Sequence, residues 1–318
     1  MKVSVLLVDN QKSCSHISRF EPQINPLPYL KKCQVSCFYL TKKNSIRILS
    51  KYYKDFDVFL NLCDGAKGDD RPGIEVVKFL ERHNLPFTGA GSKFYEPSRI
   101  QMKKAAIKNK VCVPAYQFFY CEEEIKTCKL SFPRIVKHYN SYSSIGITKK
   151  SLVENPSSFK YQVKRMIKKY GGALVEEYIK GREFTVLVVS SGNEKNPYVF
   201  EPVEIIFPEG EEFKHFDIKW KQHSQMKFVL CKDTSLTDYL KKKSMEIYKT
   251  IHGSGYARFD YRIDSQGNVF FLELNPNGSV YYPRKNASSA DEILFLHSNG
   301  HEVFTSLILN YAFKRKSQ

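Results

Sequence analysis

The segment "YARFDYRIDSQGNVFFLELNPNG", residues 256–278, constrains the fold of this chain more than any other. Two runs rich in aromatic and apolar residues flank a cluster of turn formers, the mark of an antiparallel hairpin. In the first run Arg258, Asp260 and Arg262 share one face while Phe259, Tyr261 and Ile263 share the other, because successive strand side chains alternate. The same alternation in the second run places Phe271, Glu273 and Asn275 together. A four-residue turn over 265–268 would set Asp260 opposite Glu273, with side chains roughly 5 Å apart. Two facing carboxylates repel unless a cation lies between them. Asp260, Glu273 and Asn275 then offer three hard oxygen ligands suited to Mg²⁺ shared with substrate phosphates. A slip of one residue would turn the set away, leaving a strand end decorated with polar groups.

The rest of the chain frames this hairpin. Residues 1–95 alternate strand and helix signals: "VSVLLV", "CQVSCFYL", a polar helical stretch around "NSIRILSKYYKDF", "DVFLNLC", the helix "GIEVVKFLERHN", and "LPFTG". Short strands separated by amphipathic helices predict a parallel α/β unit. A second region, 96–183, holds the helix in "EPSRIQMKKAAIKNK", the strand "PRIVK" with a Ser-rich loop behind it, a helix near 157–170, and "GALVEEYIKGREFTVLVVSSG", read as two strands joined by a short turn. The third, 184–318, holds "YVFEPVEIIF", a polar loop, a helix near 235–253, the hairpin, and a closing amphipathic helix.

Composition narrows the class. With 42% hydrophobic and 26% charged residues, the chain is an ordinary globular one. The apolar run "VSVLLV" stops at Asp9 after six residues, too short for a membrane span or a signal-peptide core, so a cytoplasmic protein is expected. Eight cysteines without a C-x-x-C pair argue against zinc or a disulfide framework and for reduced, buried thiols. The net charge of +17 favours acidic ligands or an acidic partner, yet no nucleic-acid module is present, so no nucleic-acid partner is expected.

Three weaker signals accompany the hairpin. Lys137 ends the run "PRIVK", and "NSYSSIG" (140–146) behind it is a hydroxyl-rich loop able to wrap phosphate oxygens, or equally mere loop decoration, since it lacks P-loop spacing. In "LVEEYIKGREFTV", Glu176, Glu177 and Glu183 could hydrogen-bond an adenine amino group and ribose hydroxyls, or could be surface acids. His215 and His223, in the polar loop, are candidate substrate contacts.

The order of these signals matters more than any one of them: lysine helix, Lys-terminated strand with Ser/Gly loop, E-E-x-x-x-G-x-E, R-x-D, E-x-N. That series resembles the ATP-grasp superfamily, and most closely its D-alanine–D-alanine ligase branch. The resemblance implies an α/β (α+β) ATP-grasp fold, in which an N-terminal parallel α/β domain joins central and C-terminal domains that clamp the nucleotide. It implies an ATP-dependent ligase that forms an amide bond through an acyl phosphate, using ATP and Mg²⁺ (with Mn²⁺ as an alternative metal). Amino acids or peptides would be its substrates, and a homodimer its assembly. By the same resemblance Lys104 and Lys137 contact phosphates, and Ser143, Ser144 and Gly146 lie in the covering loop. Glu176 and the segment Glu177 to Ile179 would hold adenine, and Glu183 the ribose. Asp260, Glu273 and Asn275 would be metal ligands, with Arg258, Ser144 and Lys219 serving catalysis. Departures concentrate on the substrate side. "LLVDNQKSCSHIS" lacks the amine-holding Glu and the glycines of the family's first βα turn, Trp220 stands where Tyr is usual, and "NPNGSVYYP" rebuilds the loop that grips the second substrate's carboxylate. A substrate pair other than two D-alanines is therefore expected, with Tyr281 and Tyr282 lining a more aromatic pocket. Two other readings remain: a ligase acting on a protein or peptide terminus, and an idle ATP-binding module.

Overall fold

A computed structural model describes residues 1–15, 17–191 and 196–316. Strand β1 (Lys2–Val8) is buried from its second residue onward, as an unbroken apolar run must be when both faces are covered. It lies between β2 (Gln34–Leu40) and β3 (Val58–Asn61), all parallel, with α1 (Ser45–Tyr52) and α2 (Ile74–Arg82) as the connecting and flanking helices. The segment "LPFTG" forms no strand and makes one parallel bridge, Phe87 to Phe59. Helix α3 (Arg99–Lys108) begins at a capping box in which Ser98 and Gln101 satisfy each other's backbone N–H groups.

The second sheet is antiparallel, in the order β4 (Tyr116–Phe119), β7 (Ala173–Glu177), β5 (Arg134–His138), β6 (Leu152–Val153). Helix α4 (Pro156–Tyr170) packs its Phe159, Val163 and Met166 against it. The third sheet runs β11 (Lys227–Leu230), β10 (Val203–Ile206), β8 (Arg182–Val189), β12 (Tyr256–Ile263), β13 (Val269–Pro276), with β9 (Tyr198–Val199) paired to β8. Short helix α5 (Phe216–Trp220) and long helix α6 (Thr234–Thr250) flank it, and α7 (Ser289–Phe295) and α8 (Gly300–Lys316) close the chain. One core cluster joins α2, α3 and α6 to β8, β12 and β13, so the first and third sheets share packing. Among the described residues no helix is long and apolar enough to cross a membrane.

Two local readings change. β7 and β8 do not form a hairpin. They join different sheets, and the chain crosses between them at Gly181, where a Cβ would lie 1.9 Å from the carbonyl oxygen of Ile263. The hairpin of β12 and β13 does pair Asp260 with Glu273, but by another route. Its turn spans five residues, 264–268, because the Asp264 carboxylate accepts the N–H groups of Gln266 and Asn268 and draws the loop in. The ladder then slips at Asp260/Tyr261, leaving Leu272 unpaired, and this bulge restores the register. Phe271 consequently leaves the face of Glu273 and packs on Phe259 and Tyr261 in the core. The cysteines are free thiols, as expected, but Cys63 alone is buried, while Cys14, Cys37, Cys112 and Cys121 are exposed.

Candidate active site

Because β7 and β8 part at Gly181, the second and third sheets open a cleft between them. Three contiguous chambers fill it and its flanks, of about 910, 860 and 700 Å³, and Lys219 and Arg258 line all three.

The first chamber gathers most of the sequence-derived set: Lys137, Ser143, Ser144, Glu176, Glu177, Ile179, Glu183 and the hairpin group Arg258, Asp260, Glu273 and Asn275. At its centre Arg258 grips Asp260 through Nε (3.0 Å) and Nη2 (2.9 Å). Thr185 Oγ1 donates to the same carboxylate at 2.8 Å. The Asn275 amide nitrogen spans the two acids, 3.3 Å from Asp260 Oδ2 and 3.2 Å from Glu273 Oε1. Burial raises the pKa of Asp260, but Arg258 outweighs it and holds the carboxyl at about 2. Glu273 is also held low, burial being outweighed by Arg99. Two ionised carboxylates, with a carboxamide between them that presents an oxygen once its plane is turned over, are a donor set that fits a hard divalent cation of the Mg²⁺ class.

Glu176 is 2% exposed, and its two oxygens are taken by Lys103 and by Lys137, the latter at 2.6 Å. Burial raises its pKa, yet these two ammonium groups hold the carboxyl well below the usual carboxylate range. Glu176 therefore fixes the two lysines in addition to lining the cleft. Arg262 donates to Glu183 Oε2 (3.1 Å), to the Ile179 carbonyl (2.8 Å) and to the Glu212 carbonyl, tying the rim of the chamber together.

The Ser-rich loop adopts the conformation its composition suggests. Ser143, Ser144 and Gly146 all have positive φ (55°, 57° and 76°), turning the loop back over the chamber. Three bonds hold it shut: Trp220 Nε1 to the Ser143 carbonyl (3.2 Å), Ser144 Oγ to the Lys214 carbonyl (3.2 Å), and Arg99 Nη2 to the Ser141 carbonyl (2.7 Å).

Several expectations are corrected. Lys104 is exposed on the outer face of α3, because helix periodicity turns its neighbour Lys103 inward instead. The inward basic residue at the start of that helix is Arg99, which pairs with Glu273 and lines the first two chambers. Gly146 does not line a chamber. It supplies the left-handed turn beneath the loop, where a Cβ would press on Tyr170 at 3.0 Å. His215 is fully buried, caps α5 and bonds Glu211, whereas His223 does line the third chamber. Tyr281 turns into the core and bonds Thr305, while Tyr282 lines the third chamber.

Sequence reading also missed an acid. The first βα turn has no Glu, yet the loop behind it brings Glu21 to Arg71 (3.1 Å), which also holds Asp64. Burial and Asp64 together raise Glu21 to about 7, against the pull of Arg71. Asp64 lines the second chamber, so one guanidinium serves two carboxylates there. A single stretch of sequence could not reveal this, because the three residues come from separate loops.

Known proteins bear on this geometry. The family model described as D-ala D-ala ligase C-terminus matches residues 111–280. The D-alanine–D-alanine ligase of Aquifex aeolicus is 29% identical over 225 residues, covering 69% of this chain and 70% of that protein. Among solved structures, the D-alanine–D-alanine ligase of Bacillus anthracis complexed with ATP superposes with a TM-score of 0.71 at 17% identity, covering 100% of this chain and 98% of that one. VanG D-Ala:D-Ser ligase of Enterococcus faecalis gives 0.69 at 16% identity, over 98% and 99%. With more than half its length matched by the family model, and the fold shared end to end with such enzymes, the chain belongs to the D-alanine–D-alanine ligase family and has the ATP-grasp fold.

Proposed function

We propose that the chain is an ATP- and Mg²⁺-dependent ligase that joins a carboxylate to an amine. The γ-phosphoryl group passes to a substrate carboxylate oxygen. The amine nitrogen then attacks the acyl carbon, the bond to the phosphate oxygen breaks, and ADP, phosphate and an amide leave. The observation that carries this reading is the convergence of Asp260, Glu273 and Asn275 beside Arg258, where the three chambers meet.

In this reading the first chamber takes ATP. Lys137, Ser143 and Arg99 hold phosphate oxygens, Glu176 fixes Lys137, and Glu177 to Ile179 face the adenine. Glu183, clamped by Arg262, faces the ribose. Asp260, Glu273 and Asn275 hold the metal, which when bound supplies charge neutralisation on the phosphates. Lys219 and Arg258 stabilise negative charge on the transferring group and on the tetrahedral oxyanion, with Ser144 fastening the covering loop. No covalent nucleophile is needed.

The second chamber takes the carboxylate-bearing substrate. Glu21 and Asp64, sharing Arg71, carry one negative charge beyond what it neutralises when both are ionised, and an ammonium group would balance it. The third takes the amine-bearing substrate. VanG is named for D-serine in place of the second D-alanine, so this fold accommodates other acceptors. Trp220 and the rebuilt "NPNGSVYYP" loop favour an acceptor other than D-alanine here as well. Units 1–95, 96–183 and 184–318 are the proposed working bodies, the last boundary falling inside β8.

Glu273→Gln keeps the shape and removes one ligand charge. Turnover measured by ADP release over a panel of amino acids and dipeptides is expected to fall at least 100-fold, with an unchanged circular dichroism spectrum. Normal turnover in the folded variant would refute the assignment.

A further inference from the structure

The third chamber differs from the other two in its charges. Glu176, Asp260 and Glu273 face the first, and Asp64 and Glu96 the second, but no carboxylate lines the third. Its cationic groups are Lys214, Lys219, Lys221 and Arg258. Two of them are already neutralised: Lys221 lies 2.6 Å from Asp217, and Arg258 grips Asp260.

The other two are less fully neutralised. Lys219 Nζ has no hydrogen bond or ion pair among the described residues and rests 4.9 Å from the Trp220 ring centroid. Lys214 Nζ donates to Ser289 Oγ, on the chamber wall, at 3.1 Å. Its acidic neighbour Glu183 is 4.0 Å away and already holds Arg262. Between them stands His223, whose Nε2 is buried without a hydrogen-bond partner among the described residues. Burial, with Lys214 and Lys219 nearby, lowers this imidazole to about 4, so at neutral pH its ring is an uncharged hydrogen-bonding group.

Clustered cations with a deficit of counter-charge, here one carboxylate shared between Lys214 and Arg262 and none on Lys219 Nζ, are costly to bury, so this chamber recovers most from a ligand that brings anions. A neutral amino acid brings one carboxylate for two ammonium groups. An amino acid with a carboxylate side chain brings two. Trp220 and Tyr282 on the chamber wall would flank the methylenes of the longer body. Resting on the ligase reading above, we infer that the third chamber seats the amine-bearing substrate and selects an amino dicarboxylic acid of the aspartate or glutamate class, its side-chain carboxylate read by Lys214 and its α-carboxylate facing Lys219, which at the junction of the chambers also faces the transferring group. The amine then faces the junction at Arg258, where the acyl phosphate lies.

Calorimetry on the full chain with Mg²⁺ and a non-hydrolysable ATP analogue tests this. Both enantiomers of aspartate and glutamate are titrated beside asparagine, glutamine and alanine. At least one dicarboxylate is expected to bind tenfold or more tightly than its own amide. Lys214→Gln, and separately Ser289→Asp, which sets a carboxylate beside Lys214, are expected to shrink that ratio below threefold. Circular dichroism and urea unfolding of the same samples report folding. Equal binding of acid and amide, or a preference that survives in both variants, overturns the inference. If a neutral amino acid then supports ADP release, the ligase reading stands with another acceptor. Failure to bind the analogue at all overturns both.

Discussion

Lys103 and Lys104 are adjacent in sequence, yet one ammonium is 1% exposed against Glu176 and the other is in solvent. Lys104→Ala is therefore expected to leave stability and turnover within about 0.5 kcal/mol of the parent. Lys103→Met strips a buried carboxylate of one partner and is expected to cost about 3 kcal/mol of stability, measured by urea unfolding. Lys219 behaves in the opposite way. Burial, Arg258 and Lys214 lower its pKa from 10.5 to about 7, so the folded chain resists charging it. A depressed lysine adds stability above its unfolded pKa and loses it as pH falls through the folded value. Lys219→Met is thus expected to raise the melting temperature of the ligand-free chain by about 2 °C at pH 6 and by about half as much at pH 9, where the penalty between the two pKa values is only partly developed, while abolishing turnover. Thermal scans at the two pH values check the sign. The hairpin acids were legible in the sequence because period-two alternation marks a face. The lysine pair was not, because "MKKAA" fits a helix in more than one rotation and only the pairing with Glu176 fixes which lysine turns in.

Element by element, most regular parts matched their sequence signals, "LPFTG" and the short helix α5 excepted, whereas the crossing between β7 and β8 did not. Helix α4 lies near the expected 157–170, and the structure shows its ends marked by the Asn155 side-chain cap, a first-turn proline and the left-handed Gly171. The β7–β8 turn was misread because a short Gly-containing link between two strands fits a hairpin as well as a crossing to another sheet. At Gly181 the close approach to the Ile263 carbonyl leaves no space for a side chain. Gly181→Ala is expected to cost about 2 kcal/mol and to weaken ATP binding at least tenfold, because the clamp on both sides of the nucleotide moves; calorimetry with the ATP analogue measures it. The register of Asp260 with Glu273 survived two errors that cancel, one residue too few in the turn and one unforeseen bulge.

Across the whole molecule, ATP would bridge the second and third sheets, so saturation links their unfolding. At 100 times Kd the nucleotide is expected to add about 2.7 kcal/mol to global stability, read as a rise in the urea midpoint. Before any ligand enters, the cleft is a set of internal salts: Arg99 with Glu273, Arg258 with Asp260, Lys137 with Glu176. On the proposed assignment, ligand binding would be an exchange of ions, guanidinium and ammonium groups turning to phosphate while Asp260 and Glu273 turn to the metal. An anion arriving alone would leave those two carboxylates without counterions, and a divalent cation arriving alone would strand the arginines. Each species would thus raise the affinity for the other, and the cleft would discriminate against uncomplexed nucleotide without a separate sensor for the metal.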